Sequence, residues 1–319
     1  MKRTTSSQRL YLVYLNWPER CFRAGAREIA LLKSMVPEGS RVVRVTGDRA
    51  FLKALPKATH VITWHFRGEW FRLARRLEVL ATPGAGRELV AWRDAPPSVR
   101  VHFGGFHGKI MSETVAGFIL AWARGFFRRE VASARTGAAP WRDVWPRASI
   151  GGVCRTVAGT KAVVAGYGRI GRAIGDRLAA LGIEVAGVTR RNAAELPALA
   201  KDADWFVMAL PGDTGTDDFL DARLISRLPR RCVVVNVGRG NAVDEAALLE
   251  ALRGGRIAGA YLDVFKGESR IGEGDAGAAI LSADPRTLPW NLVMMPHSSA
   301  FSSDYLWMCL EELKSEGLV

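Results

Sequence analysis

Residues 161–171 read KAVVAGYGRIG, an apolar run of strand character that ends on Gly166-x-Gly168-x-x-Gly171 and passes into a helical pattern reaching Leu181. No other stretch of the chain restricts the fold as tightly. The first glycine permits a tight turn, the second lets the backbone approach a pyrophosphate, and the third allows helix and strand to pack closely. The helix that follows presents unbonded N–H groups and the positive end of its dipole to phosphates. Glycine spacing alone is a weak signal. Here it follows a strand, opens a helix and sits inside a βαβ unit, which implies a dinucleotide-binding turn in a parallel α/β sheet.

The rest of the chain repeats that alternation. Beyond the turn, strands are predicted at 162–165, 184–188, 205–210, 232–236, 257–262 and 291–295, with helical segments between most of them. Six strands joined by crossovers describe a doubly wound nucleotide-binding fold. The first hundred residues show a second α/β pattern, with strands at 10–15, 42–45, 60–64 and 79–81 and helices at 24–35 and 69–76. Between the two, Met111, Val115, Phe118, Ile119, Trp122 and Phe126 recur at helical spacing and mark a long connecting helix with one buried stripe. Residues 137–159 lose all periodicity and carry two prolines and several glycines, so they read as an arm, with Trp141 and Trp145 as interface residues. A final amphipathic segment spans 303–313.

The end of the second strand beyond the glycine turn selects the cofactor. An acidic residue there accepts from the ribose 2′-OH of NAD, whereas arginine accommodates the 2′-phosphate of NADP. The sequence is Gly187-Val188-Thr189-Arg190-Arg191-Asn192, with no acid, one hydroxyl able to donate to a phosphate and two guanidinium groups. The expected cofactor is therefore NADP (NADPH) ahead of NAD.

Arg239 falls just past the carboxyl end of a predicted strand, where open α/β sheets place their ligands, and its planar fork suits a substrate carboxylate. His297, just past another strand, is the only histidine beyond residue 107 and suits proton exchange near neutrality. Glu268 can fix the imidazole tautomer and stabilise its protonated form. Hydride transfer to a carbonyl creates an alkoxide that needs a proton, so Arg239, Glu268 and His297 complete a nicotinamide-dependent reduction.

These residues sit in motifs whose order resembles the D-isomer-specific 2-hydroxyacid dehydrogenase family, in particular its glyoxylate/hydroxypyruvate reductase-like members. The motifs are TPGAG at 82–86, HGKIMSE at 107–113, GYGRIG at 166–171, LPGDTGT at 210–216, NVGRG-x-x-VDE-x-AL at 236–248, LDVF at 262–265 and PHSSA at 296–300. The resemblance implies Arg239 as the substrate-binding arginine, His297 as the acid/base and Glu268 as its partner. It implies a substrate loop whose Gly84, Ala85 and Gly86 N–H groups bind the carboxylate. It further implies that Leu210, Pro211, Val237, Gly238 and Asp263 line the nicotinamide side and that Arg169, Ile170, Thr216 and Ala300 complete the cofactor shell. The family fold pairs a dinucleotide-binding Rossmann domain, 107–297, with a discontinuous flavodoxin-like substrate domain, 1–106 and 298–319. It also places the active site between the two and implies a homodimer. The sequence departs from the family pattern at Ser269, where proline usually follows the glutamate, and in a longer connection over 269–290. It departs again at Arg87-Glu88-Leu89 after the substrate loop and at HFGGFHG before the connecting helix.

Composition narrows the alternatives. The formal charge of +13 raises the question of nucleic acid, but only nine of the 45 basic residues are lysine and they are dispersed. No helix-turn-helix, zinc or aromatic RNA motif accompanies them, so neither a nucleic acid nor a membrane is an expected partner. The four cysteines, Cys21, Cys154, Cys232 and Cys309, have no metal-ligand spacing and no disulfide framework. Reduced thiols, no metal and a cytoplasmic location are the expectation. A competing reading with the same fold is a dinucleotide-sensing regulator or corepressor with vestigial turnover.

Overall fold

Parallel sheets form where apolar runs alternate with helical patterns. The computed structural model describes residues 8–128, 154–268 and 279–319, so Trp141, Trp145 and Ser269 lie outside the described residues. The chain divides into two compact units, residues 1–107 with 301–319, and residues 108–300.

In the first unit, β1 (Leu10–Tyr14), β2 (Arg41–Arg44), β3 (His60–Thr63), β4 (Val79–Thr82) and β5 (Arg100–Phe103) form a parallel sheet in the order β2-β1-β3-β4-β5. The central strand β3 is buried along its length, whereas edge strand β2 exposes both terminal arginines. A parallel sheet covered on both faces requires that contrast. Helices α1 (Ala26–Met35) and α2 (Asp48–Ala54) provide crossovers. One core gathers Leu12, Phe51, Val61, Phe66, Trp70 and Leu80. The expected helix at 69–76 is instead a 3₁₀ turn at Gly68–Arg72. The neighbouring Trp70 and Phe71 are both buried, and the chain winds tightly through i→i+3 bonds to place them.

In the second unit, which holds α3 (His107–Ala123) from Gly108 on, that helix lays Met111, Val115, Phe118 and Ile119 against the sheet, as their spacing requires. The helix ends before Phe126, which is 58% exposed rather than part of the stripe. The sheet comprises β6 (Lys161–Ala165), β7 (Glu184–Val188), β8 (Trp205–Met208), β9 (Val233–Asn236), β10 (Gly259–Leu262) and β11 (Leu292–Met294). All strands pair parallel, in the order β11-β10-β9-β8-β6-β7. Successive residues alternate between two cores: Trp205 and Val207 face the α3 side, Phe206 and Met208 the other. Helices α4 (Arg169–Ala179), α5 (Leu196–Ala200), α6 (Ala222–Ile225) and α7 (Glu245–Arg253) complete the unit. The chain leaves β6 for β7 on one side and returns to β8 on the other. The carboxyl end of β6 is therefore a topological switch point, where such sheets bind ligands.

The last helix, α8 (Tyr305–Ser315), belongs to the first unit. The Gly105 N–H donates to both Glu312 carboxylate oxygens, at 3.1 and 2.9 Å, and His107 Nε2 lies 2.6 Å from the Tyr305 hydroxyl. Burial of Tyr305, Leu306, Cys309, Leu310 and Leu313 accounts for its amphipathic pattern. Among the described residues, no helix is long and apolar enough to cross a membrane.

Candidate active site

The glycine turn at the end of β6 is built as its chemistry demands. Gly166 has φ +88°, and a Cβ there would meet Ala209 O at 2.5 Å. A Cβ on Gly171 would meet Gly166 O at 2.3 Å, so the first and third glycines are fixed by packing. Gly168 differs: a Cβ on it would meet nothing within 4 Å. It is the N-cap of α4 and, as glycine, offers no side-chain cap, so the leading turn carrying Ile170 and Gly171 keeps backbone N–H groups for an anion. The open space at Gly168 and the uncapped helix end together fit a dinucleotide diphosphate.

The loop after β7 is locally ordered. The Thr189 hydroxyl donates to Asn192 Oδ1 at 2.9 Å and accepts from the Arg191 N–H at 3.2 Å, and Asn192 Nδ2 donates to Gly187 O at 3.0 Å. Thr189 thus caps the 3₁₀ turn Arg190–Glu195, and its proton is engaged within the loop rather than presented to a phosphate. Arg190 and Arg191 are exposed at the start of that turn. Arg190 Nη2 lies 2.8 Å from Asp213 Oδ2.

After β8, the buried Thr216 hydroxyl lies 2.7 Å from both Pro211 O and Asp213 O, shares its one proton between them and fixes the Leu210–Thr216 loop. A Cβ on Gly238 would meet Leu210 N at 2.6 Å, so the loops after β8 and β9 touch where only glycine fits. Asn236, fully buried at the end of β9, accepts from the Gly238 N–H at 3.1 Å and donates to Arg239 O at 3.0 Å. It pins the loop that carries Arg239. The sequence motif assigns a role to Arg239 and none to this amide; its signal is a buried Asn between a strand and a functional loop.

Arg239, Glu268 and His297 come together within this unit. Arg239 is half-buried, and its Nη1 donates to Gly238 O at 2.9 Å. His297 Nδ1 lies 2.8 Å from Glu268 Oε1, and Glu268 Oε2 accepts from the Phe265 N–H at 3.0 Å. The Asp263 carboxylate is fully buried and accepts from the Ser298 N–H at 2.8 Å and the Ser299 N–H at 3.0 Å. Asp263 O accepts from the His297 N–H at 2.8 Å. These bonds hold His297 at φ +51°, a left-handed conformation unusual for a non-glycine residue and most often retained at functional sites. Val237 is buried and Ala300 half-buried, both packed into the core beneath α3.

Electrostatics follow from this geometry. The hydrogen bond that the His297 imidazolium donates to Glu268 raises its pKa above the ordinary histidine value; burial and the Arg239 charge oppose this, while the Glu268 and Asp263 charges add to it. Burial of Glu268 would raise its carboxyl, but the His297 bond and charge, the Phe265 N–H and Arg239 outweigh that and hold it below the usual range. Glu245, buried at the start of α7, accepts from the Lys266 N–H and the Ile280 N–H, each at 2.9 Å. It ties down both flanks of the long connection that follows Glu268.

In the other unit, the expected substrate loop follows β4. The Gly84 N–H is taken by Thr82 Oγ1 at 3.2 Å, whereas among the described residues the Ala85 and Gly86 N–H groups have no acceptor. His107, stacked on Phe106 at 4.4 Å and bonded to Tyr305, is buried in packing. The rings of Trp64, Phe66, Trp70 and Phe71 are buried as well.

Residues 116–299 match the profile of the D-isomer specific 2-hydroxyacid dehydrogenase, NAD binding domain. A 2-ketogluconate reductase of Gluconobacter oxydans is 38% identical over 135 residues, which cover 40% of this chain and 43% of that protein. A glyoxylate reductase of Korarchaeum cryptofilum is 27% identical over 292 residues, 87% of this chain and 81% of the relative. Among solved structures, a D-isomer specific 2-hydroxyacid dehydrogenase from Lactobacillus delbrueckii ssp. bulgaricus in its NAD complexed form superposes with a TM-score of 0.74. At 16% identity over 97% of this chain and 96% of that one, it shows the shared fold.

Proposed function

The chain belongs to the D-isomer specific 2-hydroxyacid dehydrogenase family, and from that premise we propose that it reduces a small 2-oxo acid to the D-2-hydroxy acid, with NADPH as the preferred hydride donor. The observation that carries this reading is the 2.8 Å bond between His297 Nδ1 and Glu268, formed where Arg239 also acts on both groups. Bound nicotinamide supplies the hydride. Arg239 engages the substrate carboxylate and polarises the adjacent carbonyl through its planar fork. His297, kept protonated by Glu268, gives a proton from its other ring nitrogen to the carbonyl oxygen as charge develops there. Residues 107–297 act as the dinucleotide-binding domain and 1–106 with 298–319 as the substrate-binding domain, where the Ala85 and Gly86 N–H groups receive the carboxylate. The same reading includes a homodimer, for which the exposed Leu120, Phe126 and Trp290 are candidate contacts. The test is NADPH and NADH consumption by the purified protein with glyoxylate, hydroxypyruvate, pyruvate and bulkier 2-oxo acids. Turnover of at least one, faster with NADPH, is expected; none with any acid overturns the proposal.

The Glu268–His297 pair makes reduction pH-dependent. Reduction needs the imidazolium, and the raised His297 value keeps it protonated past the ordinary histidine range. The rate should hold on the acid side of that raised value and fall as pH rises through it. Glu268→Gln removes the stabilising charge, so the alkaline limb of kcat/KM should move to lower pH. An unmoved limb would show that Glu268 does not set the ionisation of the acid.

The cofactor preference rests on Arg190 and Arg191, with Thr189 shaping the turn that carries them. A charge-assisted hydrogen bond contributes about 1.5–3 kcal/mol, so one net bond to a 2′-phosphate favours NADPH by about ten-fold or more. The double change Thr189→Asp with Arg190→Ala keeps an N-cap while placing a carboxylate where it accepts from a free 2′-OH and repels a phosphate. It should reverse the ratio of kcat/KM for the two cofactors. A wild type already favouring NADH would make these arginines ordinary surface residues.

A further inference from the structure

We propose that Asp213 is a specificity-determining residue that holds Arg190 away from a 2′-phosphate and so limits the preference for NADPH, an inference that rests on the arginine reading above. Asp213 stands in the loop after β8, and Arg190 in the loop after β7. Because β6 lies between β7 and β8, the 2.8 Å Arg190–Asp213 pair joins the two loops that flank the Gly166–Gly171 turn. A dinucleotide bound at that turn places its adenosine ribose at the end of β7, beside the pair.

Asp213 is held firmly. Its Oδ1 accepts from the Gly215 N–H at 3.1 Å, and its carbonyl accepts from Thr216 and from Asn241 Nδ2 at 3.3 Å. Thr189 and Asn192 hold the base of Arg190 as firmly. The Arg190 side chain is 86% exposed, so its guanidinium can exchange one partner for another while both loops stay in place. A 2′-phosphate is the competing partner: to gain the Arg190 bonds it must displace a carboxylate that also repels it. A free 2′-OH meets no such opposition, since it can donate to the same carboxylate. The sequence therefore carries two arginines that favour phosphate and one acid that subtracts from their effect.

The test measures dissociation constants of NADPH and NADH by fluorescence titration for the wild type, Asp213→Asn, Arg190→Gln and the double variant. Asparagine retains an oxygen for the Gly215 N–H, so the loop is preserved. Asp213→Asn should shift the affinity ratio toward NADPH by about five-fold, the upper end for an exposed ion pair. That gain should shrink at raised salt and be clearly smaller when Arg190 is already Gln, where only the direct effect of the carboxylate on the phosphate is left. If Arg190→Gln weakens NADPH but Asp213→Asn leaves the ratio unchanged, the inference about Asp213 fails and the arginine reading stands. If Asp213→Asn gains as much in the Arg190→Gln background, Asp213 does not act through Arg190 and the inference is again overturned. If Arg190→Gln itself leaves the ratio unchanged, the arginine reading fails.

Discussion

His297→Gln is expected to leave NADPH binding intact and to lower turnover by about 10²–10⁴, the range that general acid–base catalysis contributes. Glutamine keeps a donor that can reach Glu268 Oε1, now 2.8 Å from His297 Nδ1, so the loss is of an ionisable proton rather than of packing. The loop itself is set by backbone bonds to Asp263, which do not depend on the imidazole. Steady-state rates beside an NADPH titration separate the two effects. Turnover near the wild-type rate would remove His297 as the proton donor.

Arg239→Lys is expected to lower kcat/KM by about 10²-fold or more, roughly 3 kcal/mol of transition-state stabilisation, with the fold unchanged. Lysine keeps the charge and can follow the same stem past Gly212, where a Cβ would stand 3.0 Å from Arg239 Cγ. It loses the fork that binds a carboxylate in two places and polarises a carbonyl beside it. The Gly238 and Asn236 contacts that shape the loop are made largely by backbone and by Asn236, so they survive the change. Unchanged kinetics with the best 2-oxo acid would take Arg239 out of the site.

The second unit was legible in the sequence because its signals are periodic and local. The stripe from Met111 to Ile119 and the apolar runs at 162–165, 205–210 and 232–236 each bury through their own spacing. In the first unit, β5 and α2 leave no clear signal in the sequence. β5 is a four-residue RVHF edge strand, and α2 has seven residues with Phe51 alone buried, so neither offers a full period. Phe126 fitted the stripe by spacing but falls beyond the end of α3, since periodicity does not mark where a helix stops.

At the candidate site, the residues that carry reactive groups stood out, and those that position them did not. Arg239, Glu268 and His297 have chemistry that their residue types announce. Asn236, Asn192 and Asp213 act through contacts made across loops, between residues 236 and 239, 187 and 192, and 190 and 213. Thr189 shows the same limit in reverse. Its hydroxyl suits a phosphate on paper, yet the bond to Asn192 three residues on claims its proton. Glu245 lies within the 236–248 motif, but its two bonds to the Lys266 and Ile280 N–H groups appear only when the chain is folded.

The most direct measurement is the configuration of the glycerate formed from hydroxypyruvate and NADPH by the purified protein. The account predicts D-glycerate, produced in step with NADPH oxidised and lost in His297→Gln. NADPH bound without oxidation by hydroxypyruvate or any other acid of the panel, or L-glycerate as the product, would contradict it.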